Sequence, residues 1–389
     1  MSADMAYSQN PQRYLMVVKN IRFFYSHFLP IAKAVQRAGW EVWIAAEPNE
    51  SPQRILDAGM KYIELEGEGG LWNPVKNMRS ISSTGSALRK INPQLVHFVY
   101  LKNVLTGSIL ARICKAPAVL GAVTGLGTLF VQDRSIYRVV RHGVLICLRW
   151  GFKHPNAVLA LENGDDRDYF VSNHVICQER TVIIPGAGVE VDEIRPTVEP
   201  HGTPVIVCAS RMIRDKGILE LVDAARLLRQ RGLQFELWLA GGTDTGNPSA
   251  IAPEELARIE AEGTARWLGH CNSVASLLGS ASIFCLPTYY REGLPRVLVE
   301  AGAAGLPIVT TDVPGCREVV TGGRNGLLVP PRNVPSLADA LQYLLENHEQ
   351  RRKMRIESRA IFEEKFTSKA VRAALNRCYE RLSVPLVLT

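Results

Sequence analysis

Two carboxylates, Glu292 and Glu300, stand eight positions apart in the stretch PTYYREGLPRVLVEAGAAGLPIVTTDVPG, residues 287–315. The apolar run ASIFCLP before it predicts a strand. Pro295 suits the first turn of a helix. The run PRVLVEAGAA is predicted to form that helix until Gly305 and Pro307 stop it. Glu292 then lies in the loop at a strand's carboxyl end, and Glu300 lies past the first helical turn. The free amides and partial positive charge at such a helix start suit a phosphate. Acid, amides, acid matches a ligand with hydroxyls at both ends and a diphosphate between, which is the layout of a nucleotide sugar. The same residues also fit an ordinary helix with a solvated Glu300 and a Glu292 favoured by the helix dipole.

A second constellation lies in SRMIRDKG. Arg211 follows a predicted strand, and Lys216, five positions on, opens a helix. Arginine offers a fork and lysine a point charge to a diphosphate. Together they can neutralise the charge that develops on a departing nucleoside diphosphate without a metal. Surface arginine and lysine are the plainer alternative. Asp215 is expected to cap the following helix and to be structural. No Asp-x-Asp pattern suggests a metal site. GDDRD, residues 164–168, lies far from these motifs and is predicted to be a helix start. Neither a metal nor a cofactor is expected.

The elements that must hold these residues alternate strand, loop and helix. YLMVV (14–18) predicts a strand, KNIRFFYSH a polar-aromatic loop, FLPIAKAVQRAG a helix ended by Gly39, and EVWIAAE the next strand. The second half restarts in the same way. PVIVCAS (204–210) is a predicted strand and ILELVDAARLLRQRG a helix closed by Gly232, followed by the strand FELWLAGG. Alternating β and α units imply parallel sheets with helices on both faces. Two starts in 389 residues imply two Rossmann-like domains facing each other across a cleft, with ligands beyond the carboxyl ends of the strands. The break is expected in PGAGVEVDEIRPTVEPHG, residues 185–202.

Composition bounds the partners. Hydrophobic residues make up 47% of the chain and charged residues 21%, which describes a globular protein rather than a disordered one. The formal charge of +7 suits an anionic partner: nucleic acid, acidic lipid or a phosphorylated small molecule. With no aromatic-basic RNA motif or zinc-finger spacing, nucleic acid is the weakest of these. Eight cysteines form no CxxC pair, so buried thiols in a reducing compartment are expected. The amino-terminal stretch is polar, without an apolar signal core. Uncharged runs such as APAVLGAVTGLGTLFVQ are too short or too rich in glycine and proline to span a membrane. A cytoplasmic protein is expected, one that touches a membrane surface without crossing it. DRSIYRVVRHGVLICLRWGFKH sets Arg134, Arg138, Arg141, Arg149 and Lys153 among large apolar residues. That pattern fits a basic amphipathic helix lying on anionic lipid, and equally a packed helix with a solvated basic face.

The motifs ASRMIRDKG, LAGG, WLGH, YYREGLPRVLVEAGAAGLPIVTTDVPGCREVV and NGLLVPPRN occur in this order. Together they resemble the carboxyl-terminal domain of family 4 retaining glycosyltransferases of the GT-B fold. The segment IIPGAGVEVDEIRP resembles that family's interdomain linker. In the first half, FYSHFLPIAKAVQRAGWEVWIAAE, LVHFVYLKNVLTGSILAR and AVTGLGTLF are similar to a bacterial subgroup. That subgroup builds surface polysaccharide or protein glycans on a polyprenyl-diphosphate carrier.

The resemblance implies an acceptor-side domain over 1–185, a linker over 186–202 and a nucleotide-sugar domain over 203–365. It further implies a final helix, 366–389, that returns to the first domain. Arg211 and Lys216 would bind the donor diphosphate, and Glu292 would hold the hexose hydroxyls. The backbone around Gly293, Leu294 and Pro295 would line the phosphate end, Pro295 itself offering no donor. Glu300 would bind the ribose hydroxyls and Leu268 would meet the base. Two departures stand out. The first amino-terminal loop lacks the glycine pair of many relatives, so Arg22 or His27 would serve an acceptor phosphate. Thr124 stands where many relatives carry a histidine; His97, expected after the strand QLV, is either a substitute or, at least as readily, a buried or capping residue. The reaction implied is transfer of a hexose or N-acetylhexosamine with retention, by same-face attack assisted by the leaving phosphate. The partners implied are a nucleoside-diphosphate sugar, UDP-linked, and a lipid-linked glycan at the inner-membrane surface. Two alternatives stay open at this level: a UDP-sugar 2-epimerase and a non-catalytic sugar-nucleotide-binding protein.

Overall fold

A computed structural model describes residues 11–66, 73–130, 135–244, 246–271 and 273–389. Contacts divide the chain into two units, Met1–Ile184 with Arg372–Thr389, and Pro185–Val371. The 186–202 segment therefore groups with the second unit. The last helix changes unit between Val371 and Arg372, not at residue 366.

The first unit is built on a parallel sheet of β1 (Arg13–Asn20), β2 (Glu41–Glu47), β3 (Lys61–Glu64), β4 (Leu95–Val99), β5 (Ala118–Val123), β6 (Ala157–Leu161) and β7 (Thr181–Ile183). Its spatial order is β3-β2-β1-β4-β5-β6-β7. The helices are α1 (Ile21–His27), α2 (Leu29–Arg37), α3 (Gln53–Asp57), α4 (Pro74–Ile91), α5 (Leu101–Ile113), α6 (Ser135–Phe152) and α7 (Gly164–Ser172). The central strands are buried on both faces, which is why β5 and β6 carry unbroken apolar or small residues, and β4 does so apart from His97, rather than an alternating pattern.

KNIRFFYSH, expected as a loop, is the end of β1 and the helix α1. Asn20 caps that helix by accepting the amide of Phe23 at 2.9 Å. Ile21 and Phe24, three apart on one face, are buried and tie α1 to the core. The run reads as a loop from sequence because only two residues of two short turns are buried, too few to make a periodic stripe. GDDRD does begin a helix, α7, capped by Asn163.

The second unit has six parallel strands: β8 (Val205–Ala209), β9 (Glu236–Ala240), β10 (Arg266–Trp267), β11 (Ile283–Leu286), β12 (Ile308–Thr311) and β13 (Gly326–Val329). They are ordered β10-β9-β8-β11-β12-β13. The chain switches direction across the sheet between β8 and β11, the place where open α/β sheets bind ligands. The helices are α8 (Ile218–Gln230), α9 (Pro253–Ala261), α10 (Val274–Gly279), α11 (Arg296–Ala303), α12 (Cys316–Val319), α13 (Val334–Glu346) and α14 (His348–Lys365). One continuous apolar core joins them, with Val207, Leu239, Phe284 and Leu298 essentially without solvent contact. Three arginines of α14, Arg351, Arg355 and Arg359, strap the 191–199 segment to this unit. Among them, Arg359 donates to the carbonyl of Ile194, and Arg351 pairs with Glu199 at 2.8 Å. The chain ends in α15 (Ser368–Arg381), whose later turns pack in the first unit. There Arg381 donates to the carbonyl of Thr181 and Tyr379 is fully buried.

Candidate active site

The loop after β8 and the loop after β11 meet, and a backbone carbonyl joins them. The carbonyl of Asp215 accepts from the amides of Tyr289, at 3.0 Å, and Tyr290, and from the Thr288 hydroxyl. Residues Arg214–Lys216 form one turn of 3₁₀ helix, and Gly217 follows with φ +73° as the N-cap of α8. No side chain caps that helix, so the capping role expected of Asp215 is corrected: its carbonyl braces the neighbouring loop instead. Gly217 is required on two counts. Its φ lies in the left-handed region, and a Cβ there would come within 2.1 Å of the Pro287 carbonyl oxygen.

This brace puts Lys216 against Glu292. Lys216 Nζ donates to Glu292 Oε1, and the two side chains keep only 12% and 16% of their exposure. The Tyr290 ring lies 5.9 Å from the ammonium. Cys316, on the first turn of α12, is within electrostatic reach of both charges, and burial pushes its thiol up to about 12. Gly315, at φ +81°, lets the loop after β12 close on this place, because a Cβ would lie 2.4 Å from the Gly293 carbonyl oxygen.

Arg211 stands at the end of β8, more than half exposed, and donates to Asp244 Oδ2 at 2.8 Å. Asp244 follows β9, next in the sheet. Gly293, Leu294 and Pro295 are buried, and Pro295 is the N-cap of α11, one residue before its first turn. Glu300 sits one turn into α11, keeps 12% of its side-chain exposure and accepts from Arg296 Nε at 2.8 Å. Burial raises the Glu300 carboxyl above its ordinary value, with Arg296 pulling it down and Glu193 pushing it up. Leu268, at the end of β10, donates its amide to the Leu239 carbonyl at 2.8 Å and packs half-buried against the core.

The carboxyl edge of the second sheet thus gathers Arg211, Lys216, Glu292, Leu268 and the start of α11. Arg211, Lys216 and Arg296 are each matched by an acid, Asp244, Glu292 and Glu300, so these side chains together carry little net charge. Sequence reasoning missed two of these acid–base partners. Asp244 is 33 positions from Arg211 and carries no local signal. Arg296, four before Glu300 on a predicted helix, was legible from its spacing.

The acceptor-side candidates lie in the first unit. Arg22, on α1, is exposed, with its guanidinium 3.8 Å from Glu50. His27 ends α1, with Nδ1 2.6 Å from the Ser26 hydroxyl. Thr124 is half-buried just past the carboxyl end of β5. His97 is corrected. It lies in the middle of β4, paired with Met16 and Leu120, not after the strand. It is 1% exposed and shares a 2.6 Å hydrogen bond with the Tyr14 hydroxyl. Burial lowers it to about 3, so it is a neutral core residue that no acceptor reaches.

α6 buries Leu145, Leu148 and Phe152 and exposes Ile136, Val139, Ile146 and Trp150. Arg149 donates to the Asn173 carbonyl and Arg141 lies over the Phe130 ring, so the outward basic face narrows to Arg138, His142 and Lys153. Arg134 lies outside the described residues. Among the described residues no helix is long and apolar enough to cross a membrane.

Residues 203–347 match the family described as glycosyl transferases group 1, and residues 15–160 match the glycosyl transferase 4-like family. The chain is 25% identical over 339 residues to N,N'-diacetylbacillosaminyl-diphospho-undecaprenol alpha-1,3-N-acetylgalactosaminyltransferase of Campylobacter jejuni, covering 84% of this chain and 87% of that protein. It is 26% identical to the capsular polysaccharide biosynthesis glycosyltransferase CapM of Staphylococcus aureus, covering 93% and 97%. Among solved structures, sucrose-phosphate synthase from Thermosynechococcus elongatus superposes with a TM-score of 0.76 at 20% identity, over 96% of this chain and 99% of that one. Alr3699/HepE of Anabaena, in complex with UDP and glucose, superposes at 0.74 and 15% identity, over 95% and 99%. Two parallel α/β units superposing on these structures make the fold GT-B, and the matched families make the chain a glycosyltransferase. The chain belongs to glycosyltransferase family 4.

Proposed function

We propose that this enzyme moves a hexose or N-acetylhexosamine from a UDP-linked sugar to a glycan carried on a polyprenyl diphosphate. It would do so in bacterial surface-polysaccharide or glycoprotein assembly. The observation that carries the donor half is the buried Lys216–Glu292 contact at the β8 and β11 strand ends. A cation that meets phosphate and a carboxylate that meets sugar hydroxyls belong side by side there, because the bond to be broken joins phosphate to sugar. Arg211 adds a second cation and Glu300 an acceptor for ribose. The acceptor half is supported by the relatives, one of which is named for an undecaprenol-diphosphate acceptor and one for capsular polysaccharide.

Breaking the glycosidic C–O bond leaves positive charge on the anomeric carbon and negative charge on the β-phosphate. Arg211 and Lys216 stabilise that phosphate, and the start of α11 adds its dipole. The acceptor hydroxyl attacks from the face the phosphate leaves and gives its proton to the departing phosphate oxygen, so configuration is retained. No metal step enters this scheme; turnover lost on chelation and restored by a divalent ion would refute that part. The enzyme is placed in the cytoplasm, with α6 resting on the anionic face of the membrane through Arg138, Lys153 and its exposed apolar residues.

The test is a panel of nucleotide sugars against polyprenyl-diphosphate sugars, with product anomers assigned by NMR. An axial product from an axial donor is expected. An inverted anomer overturns the stereochemistry, and an epimerised donor without acceptor overturns the transfer.

A further inference from the structure

The base of α11 carries a contact that the donor scheme does not use. Arg296 opens the helix and Glu300 lies four residues on, so the two face each other. Arg296 Nε donates to Glu300 Oε1 at 2.8 Å, and its Nη2 lies 3.8 Å from Glu193. We propose that Arg296 is a positioning residue for the ribose end of the donor: it clamps Oε1 of Glu300 and leaves Oε2 as acceptor for a ribose hydroxyl. This rests on the donor-site reading above.

The physical need is specific. Glu300 is almost buried, and burial favours the neutral acid. A neutral acid keeps its own proton and accepts from a hydroxyl only weakly. A guanidinium at hydrogen-bond distance opposes that tendency and fixes the carboxylate rotamer. The other groups around α11 do not supply this. The 185–202 segment brings Glu193, which works in the opposite direction. α14 brings Arg359, engaged with the Ile194 and Ala303 carbonyls and with Glu363. α12 brings Arg317, bonded to Asp312, and Glu318. α10 carries no charged residue, and of β11 and β12 only the buried thiol of Cys285 is titratable. Removing Arg296 therefore moves the Glu300 carboxyl further up. Its power to hold ribose is then lost as pH falls and regained as pH rises.

The experiment measures binding of UDP and of 2′-deoxyuridine diphosphate by calorimetry, at about pH 6 and about pH 8.5, for wild type, R296K and R296Q. Thermal melting confirms that each variant is folded. Wild type is expected to prefer UDP on the order of tenfold at both pH values, the worth of one hydrogen bond to a charged group. R296Q is expected to lose that preference at the lower pH and to recover most of it at the higher, and R296K to keep most of it throughout. A preference in R296Q equal to wild type at both pH values overturns the role of Arg296 alone. A preference lost equally at both pH values, and in R296K as well, makes Arg296 a packing residue and likewise overturns the proposal. No preference in wild type sinks the ribose assignment of Glu300 itself.

Discussion

Removing Lys216 alone tests the centre of the donor site. In Lys216→Met, the Glu292 carboxylate keeps its buried place, 16% exposed, but loses its cation. Breaking a fully buried pair from one side costs about 3–5 kcal/mol; some solvent reaches this one, so the low end, about 3 kcal/mol, applies. For a unit the size of Pro185–Val371 that lowers its melting temperature by about 6–12 °C. Glu292→Met leaves the ammonium unpaired and costs a similar amount. The double variant puts two flexible apolar chains face to face and recovers much of the loss, because replacing both partners of a buried pair is often close to neutral. With each single loss about 3 kcal/mol and the double variant within about 1–2 kcal/mol of wild type, the coupling energy of the cycle is expected at about 4–5 kcal/mol. UDP affinity does not follow the same cycle. It falls by roughly 10–100-fold in both variants that lack Lys216, since the phosphate loses a charged hydrogen bond whether or not Glu292 is present. The assays are calorimetric melting of the four proteins and titration with UDP. Additive melting losses, within about 0.5 kcal/mol, would refute the pairing. Undiminished UDP affinity in Lys216→Met would refute the phosphate role.

Three further outcomes are expected. His97 titrates near 6.5 in the unfolded chain and about 3 in the folded one, so the unfolded chain takes up the proton first and stability falls as pH drops through that window. Between about pH 7 and pH 5 this amounts to about 2 kcal/mol in the first unit, and His97→Phe should flatten the slope of melting temperature against pH; an unchanged slope contradicts the neutral core assignment. Gly217→Ala forces a Cβ against the Pro287 carbonyl at a positive φ, which should destabilise the second unit by about 3 kcal/mol or more and weaken UDP binding through the displaced Lys216, whereas wild-type melting would disprove the close approach. Charge reversal of Arg138 and Lys153 should reduce flotation with anionic vesicles, and equal flotation would remove the lipid contact from α6.

The strand-and-helix alternation, both sheet starts and the position of Glu292 and Glu300 around α11 were legible in the residues, because apolar periodicity and Gly/Pro punctuation are local signals. So were Arg211 and Lys216 as strand-end cations. The failures share one cause. α1 reads as a loop because its burial rests on two residues, Ile21 and Phe24, finding the core, not on a long periodic stripe. Asp215 looked like a cap, but its carbonyl is claimed by a loop more than seventy residues away. For His97 the sequence left open a buried residue or an acceptor contact, because nothing near it in the chain announces that Met16, Leu120 and Tyr14 enclose it.

The amino-acid sequence by itself determined the class of fold and which residue types stand at the strand ends, since both follow from neighbours along the chain. Which acid answers which base was decided only by the tertiary structure. Asp244 comes to Arg211 through β9, which follows β8 in the chain and lies beside it in the sheet, and Glu292 comes to Lys216 through β11, beside β8 in the sheet but three strands on in the chain. Pairing of charges depends on distance and burial in space, and neither quantity is written into any local run of residues.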